Sequence, residues 1–201
     1  MKTRDNTSEQ LRSLLAKRAL IIGTITLSNG SSSNHYFDCK RVTLDADGAD
    51  LVGDAVLKAI QSLPELPQAI GGLTHGADPI IGAVMMRAHE YGIRMNGFYV
   101  RQKPKQHGTK NRIENAPPSG TKVVIVDDVV TLGGSVLEAV NAAEDEGCTV
   151  LAVITIVDRL EGGGDKVAAR VKKYIPLYTL NDFPEIRECQ THTTRSERQF
   201  A

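Results

Sequence analysis

Val123-Val124-Ile125-Val126-Asp127-Asp128-Val129-Val130-Thr131-Leu132-Gly133-Gly134-Ser135 is the stretch on which the fold turns. Val123 to Val126 are all apolar and β-branched, which reads as a strand buried on both faces. Two carboxylates follow at its C-terminal end, the edge at which open α/β sheets bind their ligands. The Thr/Gly/Gly/Ser bend then opens a helix. Its backbone N–H groups, the hydroxyls of Thr131 and Ser135 and the helix N-terminus together make an anion site, and the glycines let backbone approach a phosphate with no Cβ in the way. The cradle calls for an anion; the carboxylates call for sugar hydroxyls or a metal ion. A phosphorylated ribose satisfies both. A plainer reading makes Asp127 and Asp128 caps of a surface loop, with Thr131 and Ser135 as helix N-caps. That reading must accept adjacent acids whose repulsion no cation or ligand relieves.

Working outward, the same strand, glycine turn and helix pattern recurs. Ala69 to Leu73 is a strand, leading through a glycine turn into a helix from about Asp78 to Tyr91. Asn96 to Arg101 and Lys122 to Asp127 are strands, and a helix follows from about Gly133 to Glu146. Thr149 to Val157 is an unbroken apolar run, with a helical stretch around Val167 to Val171 and a last strand at Ile175 to Leu180. Apolar strands alternating with helices predict an α/β protein with a parallel sheet covered on both sides. Ahead of this unit, Thr7-x-x-Gln10 resembles a capping box for a helix from about Ser8 to Ala19. Ile21 to Leu27 and the segment restarting at His35 form a hairpin around Ser28-Asn29-Gly30-Ser31, and a helix runs from Gly48 to Leu63. Gln102 to Gly120 is the one long irregular segment. Its Lys103, Lys105, His107, Lys110 and Arg112, following Arg101, make a cationic arm suited to stabilising a departing anion as a lid closes; a solvated basic loop is the plainer alternative. Gly162-Gly163-Gly164 reads as a flexible turn.

Composition sets bounds rather than a function. At 201 residues the chain is one domain, or one domain with a small appendage, with room for a sizeable core. Lys+Arg and Asp+Glu both number 24, so no global field points to nucleic acid or membrane. The cysteines Cys39, Cys148 and Cys189 form no C-x-x-C pair, which argues against a zinc site and suits a reducing cytoplasm. No apolar run is long enough for a signal peptide or a membrane span. There is no G-x-x-x-x-G-K-[ST] string, and no G-x-G-x-x-G follows a strand, which argues against P-loop and dinucleotide-binding folds.

The Val123–Ser135 string resembles the signature that binds phosphoribosyl pyrophosphate (PRPP) in type I phosphoribosyltransferases. From about Leu20 to Phe183 the chain is similar to the orotate phosphoribosyltransferase family. Thr26-Leu27-Ser28-Asn29-Gly30 through Tyr36-Phe37-Asp38 resembles the hairpin that helps enclose orotate there. Arg101-Gln102-Lys103-Pro104-Lys105-Gln106-His107-Gly108 resembles the mobile catalytic loop, and Asp158-Arg159 the pair whose arginine binds the orotate carboxylate. Gly71 to Pro79 occupies the position of the pyrophosphate loop, where a plain βα turn capped by Asp78 with Pro79 at the first helical position reads equally well.

The resemblance implies a central, mostly parallel sheet flanked by helices with a small N-terminal hood. The hood is roughly 1–45 plus the C-terminal segment, within one domain spanning 1–201, and the mobile loop is 102–120. It implies catalytic roles for Lys105, His107, Asp127 and Asp128. PRPP falls to Arg101, Gln102, Lys103, Lys105, His107, Asp127, Asp128, Val129, Val130, Thr131, Leu132, Gly133, Gly134 and Ser135. Orotate falls to Thr131, Arg159, Tyr36 and Phe37, and Mg²⁺ to Asp127 and Asp128, partly through substrate and water. It also implies a cytoplasmic homodimer whose loop 101–117 completes the neighbouring site, with no nucleic-acid or membrane partner. The sequence departs from the family pattern at Gln102, usually lysine, at Leu132, usually small or hydroxylated, at Gly76-Ala77, often Lys-Gly, and at Ser28, a lysine in some members. A phosphoribosyltransferase for another base, a PRPP-sensing regulator or RNA-binding protein that has lost catalysis, and a non-enzymatic α/β binding module are the alternatives.

Overall fold

The structure, a computed structural model, describes residues 3–26, 32–103 and 112–186. Strands β1 (Leu20–Thr26) and β2 (Ser32–Phe37) form an antiparallel hairpin sheet of their own. Strands β3 (Ala69–Leu73), β4 (Asn96–Val100), β5 (Ile113–Glu114), β6 (Lys122–Val130), β7 (Thr149–Asp158) and β8 (Tyr174–Thr179) form the main sheet in the order β5-β4-β3-β6-β7-β8. Every pairing in that sheet is parallel except β4 with β5. The helices are α1 (Thr3–Leu14), α2 (Lys40–Thr43), α3 (Ala46–Gln61), α4 (Asp78–Glu90), α5 (Gly134–Asp145) and α6 (Gly163–Arg170). The protein is thus α/β, with a mostly parallel central sheet flanked by helices.

The pleat explains the two cores. Successive side chains of a strand point to opposite faces. On β6, Val124 and Val126 therefore enter one core with α3 and α4, while Val123 and Ile125 enter the other with α5 and α6. On β7, Ala152, Ile154 and Ile156 take the first side and Val153 the second. Helix α3 is started by Asp45, whose carboxylate accepts from Gly48 N at 3.1 Å, and it turns Val52, Val56, Leu57 and Ile60 inward. Among the described residues, no helix is long and apolar enough to cross a membrane.

Three expectations are corrected here. Helix α1 begins at Thr3, not Ser8, so Thr7 lies inside it rather than capping it; the Thr7 hydroxyl meets Lys58 Nζ of α3 at 3.3 Å. The helix ends in a π-turn, Leu15–Ala19, and Leu11, Leu15 and Ala19 are fully buried. The segment 102–120 is not irregular throughout. Ile113 is apolar enough to join the second core as part of β5, and Asn115, at φ +55°, anchors the bend after it by donating to the Gly97 carbonyl at 2.7 Å. Finally, Phe37, expected beside the base, is not open to the surface. It is buried edge-on against Phe183, with ring centroids 4.8 Å apart, while Tyr36 beside it on β2 points out.

That aromatic contact joins the hairpin to the C-terminal end of the described chain. Phe183 also meets Tyr178 of β8, whose hydroxyl donates to the Ser8 carbonyl at 2.7 Å. Replacing a buried Phe by Ala costs about 3–5 kcal/mol. Phe183→Ala should therefore lower the thermal midpoint by roughly 10 °C, and a loss under about 1 kcal/mol in urea unfolding would show that the contact is incidental.

Candidate active site

The strand order creates the site. From β3 the chain steps outward to β4, then returns to the other side of β3 to lay down β6. The crevice between the C-terminal ends of β3 and β6 is the topological switch point, where open α/β sheets bind ligands. Two loops and a strand end converge on it: Thr74–Ala77 after β3, the Thr131–Gly133 turn leading into α5, and the acid pair near the end of β6. A cleft of about 250 Å³ lies there, lined by Lys40, Leu73 to Gly76, Gln102, Asp127 to Val129 and Ser135.

Strand β6 runs on to Val130, so the acids sit within it and are buried, Asp127 at 6 % exposure and Asp128 at 8 %. They are not surface caps. Each is fixed by the next backbone amide: Asp128 N donates to Asp127 Oδ1 and Val129 N to Asp128 Oδ1, both at 2.9 Å. Burial, and then the charge of Asp128, push the Asp127 carboxyl up to about 8. Lys40 Nζ lies 3.3 Å from Asp128 Oδ2. Burial works against the Lys40 charge, yet Asp128, with Tyr36 and Asp38, holds its pKa above the ordinary value. Lys40 escaped the sequence reading, although it stands two residues beyond the Tyr36-Phe37-Asp38 motif.

Gly76 closes the cleft from the β3 side. A Cβ there would overlap Oδ1 of both Asp127 and Asp128, so only glycine lets this loop lie against the acids. Among the described residues, no three His, Cys, Asp or Glu side chains converge as a metal shell. The acid pair does fit a divalent cation whose remaining ligands come from a bound molecule, since such an ion offsets both the burial and the repulsion that raise Asp127. Asp78 is the first residue of α4 and makes no N-cap hydrogen bond; its carboxylate instead lies 3.6 Å from Nδ1 of the exposed His75.

Thr131 and Ser135 are not the caps of α5. Gly133 is the N-cap, at φ +82°, and no side chain caps α5. That leaves first-turn N–H groups open to a ligand. Ser135 lines the cleft, Leu132 is exposed, and Val130 is a core residue that contributes only backbone, its carbonyl accepting from Arg159 N at 3.0 Å. The Gly162-Gly163-Gly164 triplet is no flexible turn. Gly163 N donates to the Thr131 carbonyl at 2.9 Å, and a Cβ at Gly163 would overlap that carbonyl oxygen. The triplet buttresses the cradle from behind.

Arg159 is buried at the end of β7 and reaches the hairpin, its Nη2 donating to Ser33 Oγ at 3.1 Å and to the His35 carbonyl at 3.4 Å. Desolvation, and then the Arg159 charge, lower the pKa of His35. Of the basic segment, Gln102 lines the cleft and donates from Nε2 to the Thr74 carbonyl at 3.2 Å. Arg101 is drawn away by Glu114, 2.6 Å from its Nε, and with Lys103 and Tyr99 borders a second cleft across the Thr74–His75 segment. Lys105 and His107 lie outside the described residues.

Comparison with known proteins adds an independent finding. A family model for the phosphoribosyl transferase domain matches residues 46–183. The chain is 40% identical over 177 residues to an orotate phosphoribosyltransferase of Rhodopirellula baltica, covering 86% of this chain and 92% of that protein. It resembles the crystal structure of Mycobacterium tuberculosis orotate phosphoribosyltransferase in complex with Fe(III) dicitrate, with a TM-score of 0.77, 33% identity and coverage of 88% of this chain and 98% of that one. The same M. tuberculosis enzyme in complex with 5-phospho-α-D-ribosyl 1-diphosphate gives a TM-score of 0.73 at 30% identity, with coverage of 88% and 98%.

The raised Asp127 carboxyl has a measurable signature. Its proton is held more tightly folded than unfolded, so its contribution to stability is fully present below the unfolded value of 3.8 and is lost as pH rises through about 8. Asp127→Asn cannot ionise. The unfolding midpoint of ligand-free Asp127→Asn should therefore gain steadily on the wild type as pH is raised towards about 8; a difference that does not vary with pH would contradict the assignment.

Proposed function

This chain belongs to the phosphoribosyl transferase family, and within it to the orotate phosphoribosyltransferases of pyrimidine biosynthesis, and from that premise we propose how its residues carry the reaction. A ring nitrogen of orotate displaces pyrophosphate from C1 of PRPP: the new C–N bond forms, the C1–O bond breaks, the ring N–H proton is given up to the departing pyrophosphate or solvent, and orotidine 5′-phosphate and pyrophosphate leave. The observation that carries the reading is the buried Asp127–Asp128 pair facing Gly76, continuous with the uncapped turn into α5.

Asp127 and Asp128 hold the ribose 2′- and 3′-hydroxyls and would be the residues that hold Mg²⁺. When bound, the cation supplies neutralisation of the pyrophosphate charge. The Thr131–Ser135 turn grips the 5′-phosphate through backbone N–H groups and hydroxyls. The Gly76 loop and Gln102 border the pyrophosphate, and Arg101, once released from Glu114, meets it with Lys103, Lys105 and His107 as the loop closes. Arg159 pairs with the orotate carboxylate, a geometry suited to a guanidinium. Tyr36 and Thr131 border the base under a hood of roughly 1–45 and the C-terminal segment. Developing positive charge on the ribose and negative charge on the leaving group need positioning and neutralisation rather than a covalent nucleophile. The enzyme works as a cytoplasmic homodimer in which the 101–117 loop completes the neighbour's site.

The reading is tested by incubating the protein with PRPP, Mg²⁺ and each of orotate, uracil, adenine, guanine and hypoxanthine. Turnover of orotate alone is expected, abolished by a chelator; turnover of a purine would reassign Arg159, and PRPP binding without turnover would favour a sensor. Lys105→Ala should lower kcat by at least about a hundredfold with the fold intact. Mixing Lys105→Ala with Asp127→Asn should restore part of the activity if sites are shared between subunits, and no recovery would argue that each subunit works alone.

A further inference from the structure

The Arg159 side chain is 2 % exposed, and a buried guanidinium needs a counter-charge. Its neighbour Asp158 is already engaged: Oδ1 accepts from Leu160 N at 2.8 Å and Oδ2 from the Tyr174 hydroxyl at 3.0 Å. The carboxylate that meets the cation is Glu161, with Oε1 2.8 Å from Arg159 Nη2. It arrives there because Leu160 adopts φ +55°, a left-handed conformation that side chains with a Cβ rarely take. The chain therefore doubles back, and a residue two positions on faces the guanidinium. The coordination is incomplete. Arg159 Nε is buried with no partner in the structure, and so is Nε2 of His35, whose carbonyl receives Nη2. Glu161 itself is 35% exposed and has solvent to move into.

We infer that Glu161 is an exchangeable counter-ion. It neutralises Arg159 while the base site is empty, yields it to the carboxylate of the incoming base, and reclaims it as the carboxylated product departs. The inference rests on the assignment of Arg159 to the orotate carboxylate. Because one carboxylate replaces another, the buried charge stays balanced on entry and on release. Every carboxylated ligand then competes with Glu161, and its apparent affinity falls with the fraction of molecules in which Arg159 is free. A ligand without the carboxylate meets no such competition.

Calorimetric titration of wild type, Glu161→Gln and Glu161→Ala with orotidine 5′-phosphate and with uridine 5′-phosphate, which lacks the carboxylate, tests this. Removal of the competitor should lower the Kd for orotidine 5′-phosphate by about five- to twentyfold in both variants, leaving the Kd for uridine 5′-phosphate unchanged. Unchanged or weaker binding of orotidine 5′-phosphate overturns the inference, because a Glu161 that merely braces Arg159 would weaken binding on removal. Equal tightening of both nucleotides overturns it as well, since that reports a loosened loop. If the wild type fails to bind orotidine 5′-phosphate at all, the functional assignment of Arg159 falls first, and the inference with it.

Discussion

Two ionisable carboxyls, adjacent in the chain and nearly withdrawn from water, are the constraint around which this molecule is arranged. Left alone they would repel in a medium that screens poorly. The protein answers with the amides of Asp128 and Val129, with the ammonium of Lys40, and with an Asp127 proton retained to about 8. Those answers dictate the surroundings. The strand must be covered on both faces, and the neighbouring loop must carry glycine where it passes over the carboxylates. On the proposed function, a cation and a polyhydroxylated, phosphorylated ligand would complete what the protein leaves open.

The parts of this design legible in the sequence are those written locally. The apolar β-branched run of β6, the acids at its end and the glycine bend lie within thirteen consecutive residues, and pleat and turn chemistry depend on near neighbours. The sheet class followed from the same kind of pattern repeated. What was not legible depends on residues distant in the chain. Lys40 reaches Asp128 across 88 positions, and nothing around Lys40 announces that partner. Alternation along β2 says that one of Tyr36 and Phe37 points inward; only Phe183, supplied by the far end of the chain, decides which. The Gly162-Gly163-Gly164 triplet reads as slack because glycine has freedom in isolation, whereas here its missing side chains admit the backbone of the turn after β6. The break at Ile113 within a polar segment was likewise too short to outweigh its surroundings, and became a strand because Val100 offers it an edge.

The β7–α6 turn gathers several of these long-range effects. Asp158 is held by Leu160 N and the Tyr174 hydroxyl, and a Cβ at Gly164 would overlap Asp158 Oδ2. Arg159 is consequently presented from a rigid base, its backbone N bonded to Val130 and its side chain reaching the hairpin. Two strands, one turn and the hairpin converge on a single guanidinium.

The hydrogen bond between Gly163 and Thr131 ties that turn directly to the one that begins α5. The groups assigned to the base and to the phosphate therefore belong to one stiff unit and cannot slide past one another. Such a unit behaves as a ruler. On the assignments proposed above it would gauge the span from carboxylate to phosphate along a nucleotide, leaving one end of a molecule of the wrong span out of reach.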